Sequence, residues 1–156
     1  MRTLIDRMNA VVHIFLVLLM AELVITVLCQ ILFRLVLNQP LAWTEELSRY
    51  SLIWITFLGA AYALSKRAHI GMELLVERVR GMLKTIMIVL AGIVSMVFFF
   101  IMIKEGITLS NQVMNQPSPV LQIPMGLVYA VVPISGVILM VNLLDVTVQQ
   151  IKEEAK

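Results

Sequence analysis

Four long apolar runs dominate the chain. Ala10 to Phe33 is interrupted only by Glu22, while Tyr50 to Leu64, Thr85 to Ile103 and Met125 to Leu144 carry no charged residue. A helix of about 20 mostly apolar residues crosses the roughly 30 Å of hydrocarbon in a bilayer. The pattern therefore predicts an all-α integral membrane protein with four transmembrane helices. Its spans are about residues 10–33, 50–64, 85–103 and 125–144, within one domain over residues 1–156. The second run is short for a perpendicular span. Its helix is predicted to begin near Thr44, with Trp43, Tyr50, Lys66 and Arg67 as anchors at the two interfaces. The first run follows Arg2 and Arg7 as the core of a signal peptide would. It far exceeds the usual apolar length of about 7–15 residues and lacks a small-x-small cleavage site, so it is read as an uncleaved span.

Two connecting segments show helical periodicity. In Leu41-Ala42-Trp43-Thr44-Glu45-Glu46-Leu47-Ser48-Arg49-Tyr50, Pro40 breaks the preceding chain and Thr44 is placed as an N-cap. Glu45 and Glu46 then fall where the helix dipole favours anions, and Glu45 and Arg49 pair at i,i+4. In residues 70–83, Met72, Leu75, Val76, Val79 and Met82 share one face, with Glu73, Glu77, Arg80 and Lys84 opposite. Both segments are read as interfacial amphipathic arm helices rather than plain loops, because the apolar spacing is regular and membrane spans flank it.

Composition sharpens this picture. Apolar residues make up 60% and charged residues 14%, with a mean hydropathy of +0.95; a small soluble globule has too little interior for that much apolar sequence. Arg2, Arg7, Lys66, Arg67, Arg78, Arg80, Lys84, Lys152 and Lys156 fall on one side of a four-span topology, leaving Arg34, Arg49 and Lys104 on the other. The positive-inside rule then predicts cytoplasmic N- and C-termini, with segments 34–49 and 104–124 facing the exterior. A net charge of +2 without a basic stripe excludes a nucleic-acid partner.

Candidate chemistry is sparse. Glu22 lies near the middle of the first span, where a charge is expensive, and Thr26, Gln30 and Arg34 continue a polar stripe at four-residue steps. Glu22 reads either as a proton or cation carrier or as a hydrogen-bonded group at a helix interface. The second reading is favoured because the other spans offer few polar partners, chiefly Thr56, Ser95 and Asn142. His13 and His69 share a predicted side, as haem ligation would need, but His69 lies outside its span beside Lys66 and Arg67, and both read better as interfacial residues. Gly59 and Ala63, Ala91 and Ser95, and Gly126 and Ala130 stand in small-xxx-small relation, and Pro133 falls inside the fourth span, where it frees a carbonyl and bends the helix. Cys29 and the eleven methionines read as packing material. No phosphate loop, nucleophile–base pair or metal cluster is present, so the chain is not expected to be an enzyme.

The residues Trp43-Thr44-Glu45-Glu46-Leu47-Ser48-Arg49-Tyr50, then Trp54 and Phe57-Leu58-Gly59-Ala60-Ala61, then Arg67-Ala68-His69-Ile70, resemble the small membrane subunit (Q-type) of tripartite ATP-independent periplasmic (TRAP) transporters. Ser118-Pro119-Val120-Leu121-Gln122-Ile123-Pro124, with Tyr129 and Pro133, is similar to that family's third loop and fourth span. The resemblance implies a separate small permease subunit in the bacterial inner membrane, taking part in organic acid uptake. It would form part of the static scaffold beside a large membrane subunit that carries the substrate and sodium sites, with a periplasmic substrate-binding protein delivering the substrate. No cofactor is expected in this chain. Trp43, Glu45, Glu46, Arg49, Tyr50, Lys66, Arg67 and His69 are the candidate partner and interface anchors, and Glu22, Thr26 and Gln30 the intramembrane polar group. The competing expectation is a stand-alone proton-coupled multidrug exporter working through Glu22.

Overall fold

The computed structural model describes residues 2–36, 38, 41–66 and 82–154. The described elements are helices α1 (Arg2–Val36), α2 (Ala42–Ser65), α3 (Met82–Gln112), α4 (Met125–Tyr129) and α5 (Val131–Glu154). Among the described residues, four stretches are long and apolar enough to cross a membrane, the last being the α4–α5 pair taken together.

The helices outrun the apolar stretches that predict them. Helix α3 continues to Gln112, so half of the expected exterior segment 104–124 is helical and the true loop is residues 113–124. Nothing in residues 104–112 breaks a helix, and once a helix is nucleated, adding residues is cheap. The first arm is likewise no separate element, since residues 42–50 are the opening turns of α2. Thr44 is not the N-cap: Leu41 holds that position, and the Thr44 hydroxyl donates back to the Leu41 carbonyl at 2.7 Å. Of the second arm, residues 70–81 lie outside the described residues, and Met82 and Leu83 open α3.

The fourth span is broken as Pro133 requires. Without an N–H, Pro133 leaves the Tyr129 carbonyl without its helical donor. The chain passes from α4 to α5 through Ala130, whose amide still reaches the Gly126 carbonyl at 2.9 Å.

The spans form an open row. Helix α1 packs on α2, α2 on α5 and α5 on α3, whereas α1 and α3 do not meet. Within the chain, 11% of the apolar stretch of α1 and 6% of that of α3 is buried, against 28% for α2 and 44% for the α4–α5 span, which identifies α1 and α3 as the edges. A common core of Val12, Leu58, Ala61, Leu64, Val131 and Leu139 fills the centre of the row. The α3–α5 contact is made through glycine. A Cβ on Gly106 would stand 2.9 Å from Pro133 Cδ, and one on Gly136 would stand 2.7 Å from Ile103 Cγ1, so both positions need glycine for the helices to meet.

Candidate functional site

Three polar clusters organise the row, and each ties together segments that are distant in the chain. The first lies at the α2 N-terminus. Glu46 follows the opening turn of α2 and is 8% exposed. Its Oε1 accepts the Tyr50 hydroxyl at 2.6 Å, and its Oε2 accepts the amides of Val120 and Leu121 at 2.8 and 3.1 Å. Those amides belong to the α3–α4 loop, which is closed by its own bonds: Ser118 N–H donates to Ile123 O at 2.9 Å, and Ile123 N–H donates to Ser118 Oγ at 3.1 Å. Gln122 turns the loop at a positive φ of 55° and donates its side-chain amide to the Ser118 and Pro119 carbonyls. Glu46 thus clamps the loop to α2 through backbone donors that have no helical or strand partner of their own. The Met125 sulfur stands 3.3 Å from the same Tyr50 oxygen, bringing the start of α4 to the clamp.

The second cluster sits between α1 and α2. Glu22 Oε1 accepts the Thr26 hydroxyl at 2.8 Å from one turn along, and Oε2 accepts Ser51 Oγ at 2.5 Å from across the helix contact. The third joins three helices. Asn9 and Asn142, the latter only 1% exposed, exchange reciprocal side-chain amide bonds of 2.8 and 3.0 Å, and Asn142 donates a further bond of 2.9 Å to the Ala61 carbonyl.

The predicted site residues separate on this geometry. Glu46 and Tyr50 form the clamp. Glu45 and Arg49 pair as expected at 3.1 Å, but on the surface, with side chains 66% and 67% exposed. Trp43 is exposed beside them. Lys66 caps the end of α2 with its ammonium 5.4 Å from the Tyr62 ring centroid. Arg67 and His69 lie outside the described residues. Glu22 and Thr26 are joined, whereas half-buried Gln30 has no described side-chain partner.

The expected partners of Glu22 do other work. Thr56 bonds the Leu52 carbonyl of its own helix, Asn142 is taken by Asn9, and Ser95 is on α3, which does not reach α1. Ser51, Ser118 and Asn9 are the functional residues that sequence reasoning missed. Ser51 stands one residue inside an apolar run, seven residues after Thr44, on the buried face that Thr44, Ser51 and Leu58 share; that spacing was the available signal.

Residues 23–153 match the family described as tripartite ATP-independent periplasmic transporters, DctQ component. Among known relatives, the chain is 28% identical to a putative TRAP transporter small permease protein of Haemophilus influenzae, over 88% of this chain and 86% of the relative. It is 30% identical to the ectoine TRAP transporter small permease protein TeaB of Halomonas elongata, over 87% of this chain and 70% of that one. It is also 26% identical to the isethionate TRAP transporter permease protein DctMQ of Oleidesulfovibrio alaskensis, where 70% of this chain covers only 18% of the longer protein.

Proposed function

The chain belongs to the DctQ component family of the tripartite ATP-independent periplasmic transporters, and from that premise we propose that it serves as a static scaffold in organic acid uptake. It is a small permease subunit of a TRAP transporter, a multi-pass protein of the inner membrane and a transporter component rather than an enzyme. Small subunits of this family partner with a large membrane subunit.

One observation carries the scaffold reading. The polar clusters inside the row, Glu22 with Thr26 and Ser51, and Asn9 with Asn142 and Ala61, are spent on joining this chain's own helices. A polar group in hydrocarbon that already has its bonds ties helices together; a transport path needs groups free to exchange partners. The same geometry weakens the exporter alternative, because both Glu22 oxygens are occupied by hydroxyls of its own chain.

The finer reading has four parts. The large subunit holds the substrate and any sodium ions, and a periplasmic binding protein delivers an organic acid. Relatives named for isethionate and ectoine share this subunit's pattern, so substrate choice belongs to those other components. The distribution of Lys and Arg supports cytoplasmic termini, with the Glu46 clamp and loop 113–124 outside. The opening turns of α2, with Trp43, lie as an arm in the headgroup layer.

Affinity purification in mild detergent tests the reading. The chain is expected to bring down a large multi-span protein at near-equal amount and to support no transport alone. A chain that purifies without such a partner and confers drug resistance lost on Glu22→Gln would sink it.

A further inference from the structure

The end of the row opposite the Glu46 clamp holds a cleft that the scaffold role does not use. About 530 Å³ opens between the first turns of α1, the end of α2 and the middle of α5. The Asn9–Asn142 pair, closed on itself, lines it together with Tyr62. Around it stand charges of both signs: Asp6 on α1, Lys66 at the end of α2 and Asp145 on α5, with His13 beside them. None of the three forms an ion pair with another among the described residues. Lys66 rests against the Tyr62 ring, and Asp145 accepts only a neutral amide, from Gln149. A cation and two carboxylates that border one cleft without meeting suit a ligand that carries both charges itself.

The position of the cleft narrows the ligand. It begins where the apolar runs of α1 and α2 end, at headgroup depth, and Ile14, 60% exposed, continues one wall into the hydrocarbon. The abundant molecules at that depth are phospholipids, which offer a phosphate to Lys66 and an apolar tail to Ile14. The carboxylates select further. A primary ammonium donates up to three hydrogen bonds and suits Asp6 and Asp145, a trimethylammonium donates none, and a glycerol headgroup brings no positive charge.

We propose that this cleft is a binding site for the headgroup of an aminophospholipid, phosphatidylethanolamine, with Lys66 on the phosphate and Asp6 and Asp145 on the ammonium. The lipid ties the start of α1 and the middle of α5 to the end of α2 from outside, as the Asn9–Asn142 pair does from inside.

Native mass spectrometry of the full chain in mild detergent tests this, with phosphatidylethanolamine, phosphatidylcholine and phosphatidylglycerol of identical acyl chains added in turn. The ethanolamine lipid is expected to be retained about tenfold more strongly than either of the others, the scale of one charge-assisted hydrogen bond. Asp145→Asn should abolish that preference, whereas Lys66→Ala should weaken retention of all three lipids, because each carries the phosphate. Lys66→Arg, which keeps the charge, and Lys104→Ala, at the far end of the molecule, should preserve both the preference and the overall retention. Equal retention of the choline or glycerol lipid, a preference that survives Asp145→Asn, or undiminished retention in Lys66→Ala would overturn the proposal.

Discussion

The α1–α2 contact and the α3–α5 contact each join two membrane helices, and they do so with opposite chemistry. Between α1 and α2 the specific features are a carboxyl bonded across to Ser51 and the edge of Phe15 set against the Trp54 ring, with centroids 5.9 Å apart. Between α3 and α5 they are absences: Gly106 and Gly136 have no side chain, and Pro133 and Ile103 occupy the space. Lipid tails are as apolar as leucine, so hydrophobicity does not drive either contact. One is selected by hydrogen bonding and the other by fit. Contacts selected by fit fail when volume is added, whereas those selected by hydrogen bonds fail when a donor or acceptor is removed.

The largest effect is expected where fit is broken. Gly106→Leu drives a side chain into the Pro133 ring, whose atoms are fixed by the backbone and cannot swing away. A loss of about 3 kcal/mol is expected, from overpacking without room to relax. Thermal unfolding of the purified chain in detergent should show it as a sharply lowered midpoint. Gly59→Leu is the counterpart, because nothing lies within 4 Å of a Cβ there. It should leave the midpoint of the isolated chain almost unchanged. Equal damage from both substitutions would refute the distinction.

Removing the Glu46 carboxylate comes next, because three groups depend on one side chain. Glu46→Ala leaves the Tyr50 hydroxyl and the amides of Val120 and Leu121 without their acceptor. Hydrogen exchange at Val120 and Leu121 should accelerate strongly while α3 and α5 keep their protection. Glu46→Gln retains one acceptor oxygen and should fall between the two. Unchanged exchange in the alanine variant would mean that the loop is held by its own Ser118–Ile123 bonds alone.

At the α1–α2 contact, Glu22→Leu removes two bonds and is expected to cost about 1 kcal/mol, the usual scale of polar contacts between membrane helices. Uptake by the assembled transporter should persist in Glu22→Gln, which keeps the shape and one acceptor. Loss of transport in a glutamine variant that assembles normally would return Glu22 to a working role.

How far these contacts were legible depends on what each is made of. Glu22 stands out because a charge in an apolar run has few neutral explanations, and the glutamates near Trp43 stand out because charges cluster at a span boundary. Partner choice was not legible. Asn9 and the amides of Val120 and Leu121 carry no mark of their own in the chain, and Ser51 carries only its seven-residue spacing from Thr44. The row itself was hidden for the same reason. In hydrocarbon every helix face is apolar, so periodicity does not separate the face that meets a helix from the face that meets lipid. Gly106 and Gly136 went unread because glycine is common in membrane spans, whereas Pro133 was read correctly because a missing N–H has one local consequence.

The smallest effect within the chain is expected at Glu45 and Arg49, and its size is what makes it informative. The pair is two-thirds exposed, and an exposed i,i+4 pair contributes about 0.3–0.5 kcal/mol. Replacing both with alanine should therefore leave the unfolding midpoint of the isolated chain where it was. The neighbouring Glu46 clamp should also keep its slow exchange, since no bond passes between the two. Uptake through the assembled transporter is a separate readout, and there the double variant is expected to be impaired. A drop in uptake with an unchanged midpoint assigns these charges to a surface that another component touches. Full uptake at normal complex yield would make the pair an ordinary solvated one, and the partner-facing role would then fall to the rigid loop that Glu46 holds.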